Sequence, residues 1–212
     1  MKKTLITLAI LSSAVVGFAQ GTLQVGNNFT GTLRAPIYGV DPADSTRSQS
    51  GNSAIGVPAG TTVYGGPLLQ GTGFTFALFA GPAGTPESGL TLVTTTTFRT
   101  AAGNSLPAGL ITTQTVPING VAPGATAALQ VRVWDNMGGT VGTWAEALAS
   151  GTASGMSSVF ASQALGGAGA PPSLPPEMTG WTSFNISQVP EPSVIALGAL
   201  GLGALLLRRR KS

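Results

Sequence analysis

The chain has 212 residues, of which 8% are charged, and it contains neither His nor Cys. This composition excludes Ser-His-Asp and thiol catalysis, zinc coordination by His or Cys, and disulfides. The net charge of +3 does not indicate a nucleic-acid partner, because six of the ten basic residues lie at the two ends of the chain. Between Gln20 and Val189 there are four basic and six acidic residues, without the clustered Lys and Arg of a nucleic-acid footprint.

The first 19 residues have the pattern of a secretory signal peptide. Two lysines at positions 2 and 3 precede a mostly apolar run from Leu5 to Val16, and the small residues of Gly17-Phe18-Ala19 follow. We expect signal peptidase to cleave between Ala19 and Gln20. Residues 20–188 are then the exported body, which is long enough for one domain with its own core.

The body reads as a series of β-strands separated by Gly- and Pro-rich turns. Alternating polarity or β-branched residues predict six strands, at Thr22–Val25, Gly73–Ala80, Leu90–Phe98, Leu110–Ile118, Ala127–Asp135 and Gly180–Ser187. Pro117 confines the fourth of these to a sheet edge or a strand end. We predict a mainly β fold, an antiparallel β-sandwich for which a jelly roll is one possible arrangement.

The remainder of the body predicts little regular structure. Thr143 and Glu146 have the spacing of a capping box and predict a short helix over Ala145–Ala149. The segment Ser150–Met178 reads mostly as loop, with a short strand at Ser157–Ser162.

Two groups of side chains are candidates for binding. Asp41 and Asp44 flank a Pro-Ala pair, but they supply too few oxygen ligands for a calcium loop, so a plain turn is favoured and no metal site is assigned. Aromatic rings can stack on sugars, and five aromatic residues could form such a platform: Tyr38, Tyr64, Trp134, Trp144 and Trp181. Of these, Trp134 and Trp181 are the candidate glycan contacts. Trp134 also shares a strand face with Arg132. Packing of both indoles in the core is the competing interpretation.

The last 24 residues consist of three parts in a fixed order. The triplet Pro190, Glu191, Pro192 comes first, and the uncharged apolar run Ser193–Leu207 follows. As a helix this run would span about 22 Å, less than the roughly 30 Å hydrocarbon core of a bilayer, which predicts a short single transmembrane helix at 193–207. The cluster Arg208, Arg209, Arg210 and Lys211 predicts a stop-transfer signal on the cytoplasmic side.

This arrangement, over residues 189–212, resembles the PEP-CTERM sorting signal of Gram-negative bacteria. The resemblance implies that an exosortase-type membrane protease recognises Pro190, Glu191 and Pro192 and processes the chain. It implies a body held on the periplasmic side by a transient membrane anchor, and then delivered to the cell surface or the extracellular matrix. It also implies an association with exopolysaccharide.

The function expected from the sequence is that of a non-enzymatic exported surface or extracellular-matrix protein that needs no cofactor. A carbohydrate-binding module that uses exposed aromatics is the alternative. A hydrolase built on carboxylates alone is a third class, because the composition leaves a carboxylate pair as its remaining catalytic option. Each acid of the body is better explained as a solvated surface group.

Overall fold

The computed structural model describes residues 20–49, 51, 64–102, 107–168 and 171–188. The predicted signal peptide and the predicted anchor helix therefore lie outside the described residues. The fold is mainly β, and its named strands pair in antiparallel fashion. The strands are β1 (Gly21–Val25), β2 (Asn28–Phe29), β3 (Leu33–Arg34), β4 (Phe74–Pro82), β5 (Thr91–Thr97), β6 (Gln114–Ile118), β7 (Ala127–Asp135), β8 (Ser154–Met156) and β9 (Phe160–Ala161).

The described part of the chain contains one α-helix, α1 (Trp144–Ser150), and two 3₁₀ turns, Glu87–Gly89 and Met137–Gly139. The predicted capping box is confirmed, because the Thr143 hydroxyl accepts a hydrogen bond from Glu146 N while the Glu146 carboxylate accepts one from Thr143 N. Gly151 ends the helix in the left-handed conformation, with φ 64°. No helix within the described ranges has the length and apolar character needed to cross a bilayer.

The main sheet has the strand order β5-β4-β7-β8, and β9 pairs with β7 beyond the end of β8. Its centre is a nine-residue ladder that runs from Phe74 opposite Asp135 to Pro82 opposite Ala127. Every residue of β7 from Ala127 to Trp134 is buried. The sheet is therefore covered on both faces at this strand.

Two small sheets, β1-β6 and β2-β3, share the hydrophobic core with the main sheet. Leu23 of β1 and Ile118 of β6 join the same buried cluster as Phe76 of β4 and Val131 of β7. Pro117 lies opposite Thr22 in a sheet of only two strands, where a residue that cannot donate a hydrogen bond is tolerated.

The predicted closing strand Gly180–Ser187 is wrong as a continuous strand. Alternate residues of this segment form isolated bridges with three different parts of the chain: Ser183 with Gly51, Asn185 with Tyr38, and Ser187 with Ser154. Among the described residues, no single neighbour runs beside the segment for long enough to form a ladder. The predicted strand at Leu110–Ile118 is likewise shorter, because β6 begins at Gln114 and Ile111 forms a bridge with Phe98.

A charge placed in the core should abolish stable folding. Val131 is fully buried and lies opposite Leu78 in the central ladder. We expect Val131→Asp to cost about 3 kcal/mol or more in free energy of unfolding, because the carboxylate has neither water nor a cation to compensate its burial. Thermal unfolding followed by circular dichroism measures this loss.

The control for this experiment is Leu174→Asp, at a side chain that is 90% exposed. That variant should melt close to the wild type. Equal melting temperatures for the two variants would contradict the assignment of β7 to the core.

Candidate functional site

The outer face of the main sheet carries a cluster of aromatic side chains around an arginine, which we call the Arg132 cluster: Phe79, Arg132, Trp134 and Trp144. Residues alternate along β7, so Leu129, Val131 and Val133 join the main core, whereas Trp134 packs into a second, smaller cluster. Phe79 of β4 and Trp144 of α1 are partly buried against that second cluster. The period of two places these side chains on one face, and the capping box places α1 across it.

Arg132 is held by rings and by neutral acceptors. Its guanidinium centre lies 4.1 Å from the centroid of Phe79 and 5.5 Å from the Trp144 ring. Its Nε donates to Gln130 Oε1 at 2.8 Å, and its Nη2 donates to the Glu87 carbonyl oxygen at 3.3 Å. Burial lowers the pKa of Arg132, an effect that the nearby Glu87 carboxylate opposes. An arginine nevertheless remains protonated at neutral pH, so the cluster contains a desolvated cation flanked by aromatic faces.

The structure contradicts the interpretation of Trp134 and Trp181 as glycan contacts. Trp134 is 1% exposed, and its indole N–H donates to the Val141 carbonyl oxygen at 3.0 Å. Trp181 is 2% exposed and packs among phenylalanine rings, nearly parallel to Phe160 at 6.3 Å. A sugar ring needs an accessible aromatic face, and neither indole offers one. Both residues belong to the core, as the competing interpretation held.

Trp144 is the tryptophan that the structure leaves partly exposed. It packs edge-on against Trp134 with ring centroids 6.0 Å apart and also faces Arg132. Sequence reasoning counted it among the aromatic residues that could stack on sugars but did not choose it as a glycan contact, because it stands in the first turn of a helix and not on an alternating strand. The capping box was the available signal, since it fixes the start of the helix and hence the direction in which its first turn faces.

Asp41 and Asp44 stabilise a turn. The Asp41 carboxylate accepts hydrogen bonds from Ala43 N at 2.9 Å and Gly65 N at 3.0 Å, and Asp44 accepts from both N and Oγ1 of Thr46. Arg47 approaches each carboxylate at 3.6 Å. The hydrogen bonds hold the pKa of both carboxyls below the usual range. Across the described ranges, no group of three or more acidic residues gathers as a cation site would require.

A groove of about 440 Å³, lined mainly by polar residues, lies where the chain leaves the body. Ser187 exchanges two backbone hydrogen bonds of 3.0 Å with Ser154 of β8, and the side-chain oxygen Oδ1 of Asn185 accepts a hydrogen bond from Gln49 N at 2.8 Å. A Cβ atom at position 155 would clash with the carbonyl oxygen of Asn185. Glycine at this position therefore lets the final segment lie against β8. The final segment is therefore hydrogen-bonded to the rest of the body as far as Ser187. The groove is lined by Ser45, Thr46, Arg47, Ser48, Gly155, Met156, Asn185, Ser187 and Gln188.

Residues 188–211 begin at this groove, and they match the sequence model of the PEP-CTERM protein-sorting motif. The chain carries a PEP-CTERM sorting motif. The match confirms the predicted boundaries to within one residue and includes Pro190, Glu191, Pro192 and the cluster Arg208, Arg209, Arg210 and Lys211. The motif implies an exported substrate of an exosortase that is transiently anchored at its C-terminal end. No curated protein and no solved structure matches the chain.

The tyrosine beside the Asp41 turn should make stability depend on alkaline pH. The Tyr64 hydroxyl donates to the Gly39 carbonyl oxygen, and burial together with the Asp41 charge raises the pKa of Tyr64 to about 12. An unfolded tyrosine titrates near 10, so this contribution to stability is complete below pH 10 and is lost as the pH rises towards 12. Melting temperatures measured between pH 9 and pH 12 should therefore fall.

Tyr64→Phe provides the control for this pH dependence. The variant lacks the hydroxyl, so it should be less stable than the wild type at neutral pH, and its melting temperature should fall less steeply above pH 10. Burial also raises the pKa of Tyr38. Tyr38 should therefore account for part of the fall in melting temperature that remains in the variant. Identical slopes for the two proteins would rule out Tyr64 as a source.

Proposed function

We propose that this protein is a non-enzymatic component of the cell surface or extracellular matrix, delivered there by exosortase-dependent processing. The observation that carries the proposal is the sorting motif at residues 188–211. In this proposal signal peptidase removes residues 1–19, the apolar run Ser193–Leu207 anchors the body on the periplasmic side, and the basic cluster Arg208–Lys211 stops transfer. Pro190, Glu191 and Pro192 are the recognition element.

The chemistry of the triplet fits recognition by a protease. Pro190 and Pro192 have no backbone N–H, and each disfavours helix in the residue before it. We therefore expect Glu191 to belong to an extended segment at the outer face of the membrane, with the helix beginning at about Ser193. An extended chain presents its peptide bonds to an enzyme, whereas a helix occupies them in its own hydrogen bonds.

The composition of the body supports a place in a matrix. The chain has no cysteine, so disulfides do not cross-link the body. Its stability depends on a hydrophobic core to which all three sheets contribute. Its low charge gives little electrostatic protection against association in free solution, which matters less for a protein embedded in a polymer.

A second function, binding to exopolysaccharide, is favoured by the Arg132 cluster. Trp144 and Phe79 are each partly exposed beside a guanidinium. An aromatic face next to a cation suits a sugar ring that carries a carboxylate, since the ring stacks while the charges attract. This candidate replaces the original pair of tryptophans with a site centred on Trp144.

Variants of the triplet test the sorting proposal. We expect Glu191→Ala, or the double replacement of Pro190 and Pro192 by Ala, to leave export intact but to trap uncleaved precursor in the membrane. Immunoblots of fractionated cells that carry the sorting protease measure this outcome through the size and location of the protein. Deletion of residues 208–211 is the matched control, because it should disturb orientation and membrane retention and not recognition of the triplet. Wild-type processing of the double variant would refute the proposed role of the prolines.

A variant of the helix tests the binding proposal. Trp144→Ala should reduce the affinity of the exported protein for acidic exopolysaccharide by about fivefold or more, since stacking of one ring is worth on the order of 1 kcal/mol or more. Affinity electrophoresis of the folded protein in gels containing the polymer measures the change. Leu148→Ala, at a side chain that is 56% exposed on the same helix, should bind like the wild type. Equal retardation of both variants would exclude Trp144 as a contact.

A further inference from the structure

The folded body begins one residue after the predicted signal-peptidase cut. Strand β1 starts at Gly21, whose N–H donates to the Val121 carbonyl oxygen at 2.7 Å. Thr22 and Gly166 exchange two further backbone hydrogen bonds, of 2.8 and 3.0 Å. Cleavage before Gln20 therefore leaves Gln20 as the single residue ahead of the first strand.

The chain that follows Gln20 is fixed in the protein interior. Gly21 is buried, and a Cβ atom there would lie 2.6 Å from the Leu165 side chain. Leu23 and Val25 are fully buried in the main core. Loss of only a few residues from this end would therefore remove core side chains, so the chemical state of the mature terminus matters to the stability of the fold.

Gln20 differs from the residues that follow it, because it is exposed. It lines a groove of about 360 Å³ together with Gly120, Val121 and Ala122. Removal of the residues before it can only increase its exposure. The groove gives the side chain room to bend back towards its own backbone nitrogen, which becomes a free α-amine after cleavage.

We propose that Gln20 of the exported protein cyclises to pyroglutamate, a modification that rests on the proposed signal-peptidase cut. The α-amine nitrogen attacks Cδ of the side-chain carboxamide, a five-membered lactam closes, and the bond from Cδ to Nε2 breaks. One proton passes from the amine to the departing nitrogen, so ammonia leaves and neither an oxidant nor a second substrate is consumed.

The reaction has what it needs at this position. The amine and the carboxamide belong to one residue, so the attack is intramolecular and gains the corresponding advantage in effective concentration. An α-amine titrates near pH 8, which leaves on the order of a tenth of it in the uncharged, reactive form at neutral pH. The exposed side chain of Gln20 has no packing to lose when it bends into the ring.

The lactam closes the exposed end of the first strand. Burial and hydrogen bonds protect the chain from Gly21 onwards, and the lactam protects the one residue that the fold leaves outside. Aminopeptidases bind a free α-amine, which pyroglutamate lacks. Cyclisation also removes the positive charge that cleavage creates at this end.

Mass spectrometry of the protein exported by its host tests the proposal at the first tryptic peptide, Gln20–Arg34. Most of this peptide should be lighter than its sequence mass by one molecule of ammonia. An isotope-labelled synthetic peptide of the same sequence, carried through the same handling, shows how much lactam forms after isolation. Equal conversion of the labelled and the native peptide would overturn the proposal.

Amine labelling gives a second readout, because residues 20–188 contain no lysine and the α-amine is the one primary amine of this stretch. In denaturant, an amine-reactive reagent should leave the peptide Gln20–Arg34 of the wild type largely unlabelled. Gln20→Asn is the matched control, since its side chain is one carbon shorter and closure would need a strained four-membered ring. The variant should be labelled fully, and full labelling of both proteins would refute cyclisation.

The position of the terminus distinguishes the modification from the cleavage. Gln20→Asn leaves Gly17-Phe18-Ala19 unchanged, so the variant should be cut at the same bond. A wild-type chain that begins with an unmodified Gln20 would refute cyclisation and leave the predicted cut intact. A chain that begins at any other residue would refute the cut and the cyclisation together.

Discussion

The structure depends on one antiparallel ladder, the nine-residue pairing of β4 with β7. Both faces of this ladder are buried, one against the main core and the other against the cluster around Trp134. Every other strand of the main sheet is attached to one of these two strands. Because the chain has no disulfide, the ladder and the packing against it must offset the conformational entropy lost when a Gly-rich chain becomes ordered.

Burial on both faces has a consequence for the polar side chains of β7. Gln130 is fully buried and Arg132 is only 8% exposed, so each needs partners inside the protein. Gln130 donates to the Ser157 carbonyl oxygen and accepts from Arg132, while the guanidinium lies over Phe79. Such a network is worth most when every member is satisfied. It ties the 3₁₀ turn at Glu87, the segment after β8 and the sheet to one another.

Much of the central fold could be predicted from the sequence, because its signals are local. Alternation with a period of two identified β4 and β7, β-branched density identified β5, and the spacing of Thr143 and Glu146 identified α1. The closing segment could not be predicted in the same way, since its three bridges depend on residues as distant as Tyr38 and Ser154. The small strands β2 and β3 have two residues each, too few for any periodicity.

The candidate sites also differ in whether their sequence signal is local. The sorting motif is a linear pattern of residue types, so the sequence alone predicted its bounds, and the match at 188–211 confirmed them. The Arg132 cluster is assembled from two strands and a helix. Alternation predicted that Arg132 and Trp134 share a face, but it could not show that α1 covers Trp134 and leaves Trp144 at the surface.

The hydrogen bonds between Ser187 and Ser154 limit how far the Pro190–Pro192 triplet can lie from the body. Two residues, Gln188 and Val189, separate Ser187 from Pro190, and even a fully extended chain of this length reaches only about 10 Å. That is roughly the diameter of one helix with its side chains. In the proposed topology, an enzyme that acts on the triplet of a folded substrate therefore works in a gap bounded by lipid on one side and by this domain on the other. The rim of the body around Gly155 and Asn185 thus becomes part of the substrate that the enzyme has to accommodate.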